Sequence, residues 1–165
     1  MTLVPAVILF LGIGLFAVVA YGDAKTRRIP NGLAIAIGIL GLFRMMLTGE
    51  PSAALHTLAA SAGVFTATFL LFWRGFLGGG DVKLIAATAL LVGYHDLFEF
   101  LFVMSVCGAL VSLAVLAGDR LGLRRATVLP AGDHHKTLAR LTVPYGVAVA
   151  AAGILTLLLQ SSIPG

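Results

Sequence analysis

Six apolar segments, each separated from the next by a short polar or glycine-rich break, follow one another along this chain. They cover residues 3–21, 33–47, 53–72, 82–92, 97–117 and 141–159. A helix needs about 20 mostly apolar residues to cross a bilayer, so the short fourth segment must borrow residues from the glycine run before it or from the Gly93 region after it. The pattern predicts one domain, residues 1–165, that folds as an all-α, polytopic membrane bundle of about six transmembrane helices.

The composition supports a lipid bilayer as the surrounding solvent. The chain is 59% hydrophobic and 11% charged, with a mean hydropathy of +1.05, which differs from the usual balance of a soluble domain. Its one cysteine, Cys107, lies in an apolar segment, so neither an internal disulfide nor a multi-cysteine zinc site can form. The net charge of +4 comes without interleaved aromatic positions for base stacking, which argues against nucleic acid as a partner.

The basic residues predict an orientation, because cytoplasmic loops near helix ends carry an excess of Lys and Arg. A cytoplasmic first loop leaves only Arg44 on the outer side. The ten others are Lys25, Arg27, Arg28, Arg74, Lys83, Arg120, Arg124, Arg125, Lys136 and Arg140. We therefore expect a multi-pass protein of the cell inner membrane with both termini in the periplasm. No basic residue precedes the first segment, which favours a retained helix over a cleaved signal.

Two of the seven acidic residues, Asp23 and Asp81, lie at the predicted cytoplasmic ends of the first and fourth segments. The intervening hairpin crosses outward and returns, so the two carboxylates can meet at one depth. Peptide hydrolysis needs one group to accept a proton and another to donate one. Two carboxylates that share a proton do both without a metal or other cofactor. The alternatives are structural: Asp81 as a helix N-cap, and Asp23 as a counter-charge to the nearby arginines.

Three consecutive glycines, Gly78, Gly79 and Gly80, directly precede Asp81. We expect them to adopt backbone conformations that are closed to other residues and to let a substrate backbone approach. Asp81 would then lie at a helix N-terminus, where free amides and the helix dipole favour a carboxylate. No serine has a convincing histidine partner. The adjacent His134 and His135 belong to the polar stretch of residues 119–140, which we expect to be a loop.

Three motifs carry a resemblance to a known family. They are Gly78-Gly79-Gly80-Asp81-Val82-Lys83-Leu84, Asp23 followed by Arg28-Ile29-Pro30-Asn31, and Pro144-Tyr145-Gly146-Val147-Ala148. With these three motifs, the chain resembles the prepilin peptidases of the CpaA and TadV type, within the GxGD membrane aspartyl proteases. The resemblance implies that Asp23 and Asp81 are catalytic and that the substrates are type IVb (Flp-type) pilin and pseudopilin precursors. It also implies that pilus-assembly or secretion machinery is a partner.

Further residues of these motifs are expected to shape the site or contact the substrate. They are Gly78, Gly79, Gly80, Lys83, Pro30, Asn31, Tyr145 and Gly146. Structural roles compete with these: an interfacial anchor for Tyr145, close helix packing for Gly146 and a snorkelling side chain for Lys83. The longer, bifunctional members of the family also carry a cytoplasmic region with paired cysteines and N-methylate the mature pilin. Without that region, the chain is expected to cleave without methylating and to need no methyl donor.

Two other functions fit the hydropathy. A non-enzymatic membrane scaffold or small transporter subunit of an assembly system could pair Asp23 and Asp81 with arginines, and it would tolerate replacement of either acid by Glu. A GxGD peptidase for a different substrate, such as a general leader-removing enzyme or a preflagellin peptidase, is the closer alternative.

Overall fold

The computed structural model describes residues 3–26, 29–120 and 145–162, and within these ranges the secondary structure is entirely helical. The helices are α1 (Leu3–Thr26), α2 (Asn31–Thr48), α3 (Pro51–Trp73), α4 (Gly79–Val92), α5 (Leu97–Arg120) and α6 (Tyr145–Ser162). All of them except α4 are long and apolar enough to cross a membrane. The predicted all-α, polytopic membrane fold is therefore confirmed.

The sequence predicted that the short helix α4 is extended either by the glycine run before it or by the Gly93 region after it. It begins at Gly79, three residues before the predicted start at Val82, and it ends at Val92. Gly93 stops the helix with a φ of 88°, which a residue with a side chain rarely adopts. The glycine run therefore extends α4, whereas the Gly93 region does not.

Helix α4 forms the centre of the bundle and packs against α2, α3, α5 and α6. The side chains of Leu84 and Leu91 are fully buried, although α4 is no more apolar than its neighbours. Helix α1 packs against α6 and α2, and α5 packs against α6. Many large apolar side chains of α1, α2, α3 and α5 face outward, as expected for helices whose outer surface meets lipid.

The bundle has two distinct ends. At the aspartate end, α1 and α3 finish while α2, α4 and α6 begin, and contacts between Lys83 and Asn31 link two of these helix starts. At the hairpin end, α2 turns into α3, and Arg44 contacts the last residues of α4. Helices α2, α4 and α6 therefore run parallel to one another.

Glycine residues allow the helices to approach closely at two places. At Gly41 of α2, a Cβ atom would lie 2.8 Å from the backbone nitrogen of Leu91 in α4. At Gly153 of α6, a Cβ atom would lie 2.5 Å from the ring of Phe16 in α1. Small residues at such contacts are typical of membrane helices, because close backbone approach increases van der Waals packing.

Two helices, α1 and α5, extend further at their C-terminal ends than the sequence predicted. Helix α1 continues past Tyr21 to Thr26, whose hydroxyl group donates a hydrogen bond to the carbonyl oxygen of Gly22 at 2.8 Å. Helix α5 continues to Arg120, so Asp119 is helical, although it was expected in the following loop. Hydropathy marks where apolar residues end, but a helix can continue with polar residues once it leaves the apolar layer. The rest of the expected loop, including His134 and His135, lies outside the described residues, as do Arg27 and Arg28.

Candidate active site

Asp23 lies near the end of α1 and is buried, with 5% of its surface exposed. Its Oδ2 atom accepts a hydrogen bond of 3.2 Å from the backbone N–H of Val147, 124 residues further along the chain. Val147 is the third residue of α6, so its N–H has no acceptor within its own helix. A side chain of α1 thus caps α6, and the positive end of the α6 dipole favours the ionised carboxylate.

Gly146 makes this contact possible. A Cβ atom at this position would lie 2.8 Å from Oδ2 of Asp23 and 2.9 Å from Cδ1 of Ile29. Either distance is too short for a real side chain, so only glycine lets the start of α6 reach the carboxylate. Gly146 thus lies beside the Asp23 carboxylate and also at a close contact between α6 and Ile29.

Asp81 is the third residue of α4, and it is half-buried. Its carboxylate accepts a hydrogen bond from the backbone N–H of Gly78, the N-cap residue. An acid at the third helical position that reaches back to the N-cap amide is half of a capping box. The expected helix N-terminus is present, but Gly78 rather than Asp81 occupies the N-cap position, because the glycine run itself begins the helix.

The structure brings the two aspartates together. Asp23 and Asp81 interact electrostatically. Asp23, from the end of α1, contacts the N-terminus of α6, and Asp81 lies in the first turn of α4. The two dipoles favour negative charge, whereas mutual repulsion disfavours ionising both carboxylates at once. Two neighbouring carboxylates of this kind can hold one proton between them. They can therefore accept a proton and donate one within a single site.

The expectation of unusual backbone conformations in the glycine run was wrong. Among the described glycines, positive φ angles occur at Gly49, Gly75 and Gly93. Gly78 has an extended conformation, with φ −80° and ψ 145°, that any residue can adopt.

Lack of space explains the first two glycines of the run instead. A Cβ atom at Gly78 would lie 2.8 Å from Oδ2 of Asp81. One at Gly79 would lie 3.3 Å from the ring of Phe72, and one at Gly80 would lie 3.4 Å from Cβ of Ile29. Gly78 therefore gives room to a carboxylate of the site and Gly79 gives room to Phe72, whereas the distance at Gly80 is that of an ordinary van der Waals contact.

The remaining predicted site residues lie around the helix starts. Lys83 donates a hydrogen bond of 3.1 Å from Nζ to Oδ1 of Asn31, and both side chains are exposed. Pro30 is the N-cap of α2, and its carbonyl oxygen accepts a hydrogen bond from the N–H of Leu33. Tyr145, the first residue of α6, is 40% exposed.

Ile29 and Val147 were not singled out as site residues from the sequence. Ile29 lies between Gly80 and Gly146, and its side chain is close to both. Val147 contributes a backbone N–H, which any residue except proline would supply. Both lie inside the quoted motifs, but their type alone gives no chemical signal. Within the described ranges, no three His, Cys, Asp or Glu side chains are grouped to hold a metal ion.

The model of one protein family, the type IV leader peptidase family, matches residues 9–113. The chain belongs to the type IV leader peptidase family. The matched region contains both aspartates and all of α2, α3 and α4. Helix α6, which supplies Gly146 and Val147, lies beyond it.

The chain is also similar to the prepilin leader peptidase/N-methyltransferase of Bacillus subtilis (strain 168). The two sequences are 29% identical over 162 residues, which is 98% of this chain and 58% of that protein. The chain thus spans little more than half the length of this relative. No solved structure matches the chain.

Proposed function

We propose that this leader peptidase family member is a membrane aspartyl endopeptidase of the GxGD class and of the CpaA and TadV type. It removes the leader peptide from type IVb (Flp-type) prepilins and pseudopilins at the cytoplasmic face of the inner membrane. The observation that carries the proposal is the pair of carboxylates, Asp23 and Asp81, at the starts of two parallel helices.

In the proposed reaction, a water molecule lies between the two carboxyl groups and the scissile peptide bond. The ionised carboxylate accepts a proton from water as the oxygen attacks the carbonyl carbon, and the protonated carboxyl group donates its proton to the carbonyl oxygen. The carboxyl group that took the proton from water then donates it to the leaving nitrogen, and the other carboxylate accepts a proton from a hydroxyl group of the intermediate. The C–N bond breaks, and the pair returns to its starting protonation. Such acid and base steps each contribute about 100- to 10,000-fold in rate.

The charge distribution supports a cytoplasmic location of the site. Lys25, Arg74 and Lys83 lie at the aspartate end, whereas Arg44 lies at the hairpin end. Because positive charge accumulates on the cytoplasmic side of membrane proteins, the aspartate end faces the cytoplasm. A site there meets the leader of a precursor before the pilin domain crosses the membrane, and pilus-assembly or secretion machinery takes over the product.

The proposal includes cleavage without N-methylation. The name of the similar Bacillus subtilis protein includes an N-methyltransferase. The longer peptidases that the chain resembles carry paired cysteines in an additional region, whereas these 165 residues contain Cys107 alone. The substrate class is supported by the three motifs shared with the peptidases of type IVb pilins.

Co-expression with a type IVb prepilin tests the proposal. Leader removal is followed by mass for the wild type, Asp23→Asn and Asp81→Asn at matched membrane levels. Glu50→Gln is the matched control, because it removes an exposed carboxylate between α2 and α3, away from the two aspartates. We expect cleavage by the wild type and the control but by neither Asn variant, with an unmodified N-terminus on the product. Cleavage that persists in either Asn variant would exclude the two-aspartate mechanism.

Replacement of each aspartate by glutamate separates an enzyme from a scaffold. Glu keeps the charge but moves the carboxyl group by about one carbon–carbon bond, and displacements of about 1 Å cost about 100-fold in rate. An enzyme therefore loses most activity in Asp23→Glu and Asp81→Glu, whereas a scaffold that needs only the charge keeps its function in both.

A further inference from the structure

Helix α4 ends inside the bundle. Its 14 residues rise about 21 Å, whereas the hydrocarbon core of a bilayer is about 30 Å thick. Leu91 and Val92, the last two residues, are 0% and 1% exposed. The last carbonyl groups of a helix have no partner within it, and in an apolar layer they need one from elsewhere.

Arg44 of α2 supplies the first partner. Its Nη1 atom donates hydrogen bonds to the carbonyl oxygens of Leu91 at 2.6 Å and of Val92 at 3.3 Å. Gly41, one helical turn earlier, brings the α2 backbone against the α4 backbone at Leu91, which places Arg44 over the end of α4. A guanidinium group at a helix C-terminus also complements the negative end of the dipole.

Gln160 of α6 supplies the second partner. Its Nε2 atom donates hydrogen bonds to the carbonyl oxygen of Val92 at 3.0 Å and to Oδ2 of Asp96 at 2.5 Å. The Asp96 carboxylate in turn interacts electrostatically with Arg44. Helices α2 and α6 thus hold the end of α4 through a connected set of polar side chains. We call this set the α4 clasp and define it as Arg44, Gln160 and Asp96.

The α4 clasp is joined to the aspartate end through two parallel helices. Asp81 lies ten residues before Leu91, or about 15 Å along α4. Helix α6 holds the end of α4 through Gln160 and holds Asp23 through the N–H of Val147. The relative height of the two carboxylates therefore depends on how far α4 is displaced along α6.

We propose that Arg44 and Gln160 are positioning residues that fix the depth of Asp81 relative to Asp23. They contact no atom of the site and act through the axial position of α4. The effect of this role on catalysis rests on the proposed function. The position of α4 can be measured without any cleavage reaction. A displacement of about 1 Å at a catalytic group is enough to reduce a rate about 100-fold.

The kinetic test compares variants of the α4 clasp with a matched arginine. Arg44→Met and Gln160→Met remove the donors while keeping an unbranched, apolar stem, which matches the length of glutamine and is shorter than arginine. Arg44→Lys keeps a positive donor. Arg74→Met, at an exposed arginine at the end of α3, is the control. We expect kcat for prepilin cleavage to fall about 10- to 100-fold in Arg44→Met and less in Gln160→Met, with KM within about twofold. Arg44→Lys recovers part of kcat, and the control matches the wild type.

The second readout is the position of α4 itself. In a Cys107→Ser background, cysteines replace Asn31 and Lys83, whose side chains meet at the aspartate end. A short bifunctional thiol reagent then reports the register of α4 against α2. We expect the cross-linking yield to fall at least about threefold when Arg44→Met is added, but not with Arg74→Met. If Arg44→Met does not accumulate, Gln160→Met is used for both readouts.

Loss of kcat together with loss of cross-linking supports the positioning role. Unchanged kcat and unchanged cross-linking in the Arg44→Met, Gln160→Met double variant would overturn it, as would a loss of kcat with cross-linking retained. Absence of cleavage by the wild type would contradict the proposed function instead, and the cross-linking result alone would then decide the positioning role.

Discussion

The two ends of α4 bind oppositely charged groups, and both complement the helix dipole. At the hairpin end, the last carbonyl groups accept hydrogen bonds from Arg44 and Gln160. At the aspartate end, the N–H of the N-cap residue Gly78 donates a hydrogen bond to the carboxylate of Asp81. The difference lies in the balance of charge. Arg44 is accompanied by the opposite charge of Asp96, whereas Asp81 is accompanied by the like charge of Asp23.

This difference shows how one helix can serve stability and chemistry at once. A compensated polar group in an apolar environment holds structure, because every donor and acceptor finds a partner. Two neighbouring carboxylates oppose each other, and such arrangements are typical of functional sites. Variants at the aspartate end should therefore affect activity most, and variants at helix contacts should affect stability most.

The largest effect is expected for Asp81→Asn. Cleavage should fall about 100- to 10,000-fold, because an amide can neither accept nor donate the proton that the reaction needs. Thermal unfolding in detergent should be unchanged or occur at a higher temperature, because one of two repelling charges is removed. The comparison of the two ends would fail if Asp81→Asn lowered stability as much as Arg44→Met did.

Gly146→Ala should have the next largest effect on activity. The added methyl group would lie within 2.9 Å of the Asp23 carboxyl group and of Ile29, so the carboxylate must move. We expect a loss of cleavage of about 10- to 100-fold and a destabilisation of about 1–3 kcal/mol. Cleavage assays and thermal unfolding measure the two effects.

Gly108→Ala is the matched control for that variant. A Cβ atom at Gly108, in α5, meets nothing within 4 Å. The same substitution there should leave cleavage unchanged, and it stabilises a helix by about 0.5–1 kcal/mol. Equal activity of the two alanine variants would show that Asp23 does not depend on the space at Gly146.

Gly41→Ala should mainly reduce stability. Its Cβ atom would meet the α4 backbone at 2.8 Å, and backbone cannot turn aside as a side chain can. We expect a loss of about 1–3 kcal/mol in the free energy of unfolding. Gly63→Ala, where a Cβ atom meets nothing within 4 Å, should show no loss. A neutral Gly41→Ala variant would contradict the close α2 to α4 contact.

Lys83→Met should have the smallest effect. Its hydrogen bond to Asn31 lies on the exposed surface, where such a bond contributes about 1 kcal/mol or less. We expect cleavage to change less than about fivefold, which corresponds to that energy. A loss of 100-fold or more would place the Lys83 ammonium group in direct contact with the substrate or the reacting groups.

Much of the candidate site could be predicted, because its main signals are local. Acids are rare in this chain, so Asp23 and Asp81 are conspicuous at the ends of apolar segments. The role of the glycine run was less accessible. Its position beside Asp81 is visible in the sequence, but the space that Gly79 leaves is filled by Phe72, which comes from another helix.

The sequence by itself determined the class of fold, the six helices of the described residues and the end of the bundle at which the acids lie. These follow from hydropathy, because the length of an apolar segment and the breaks between segments are local properties. Only the tertiary structure decided that Asp23 caps α6 and that Arg44 and Gln160 hold the end of α4. Such contacts join residues that are distant along the chain, and they depend on the packing and relative height of helices.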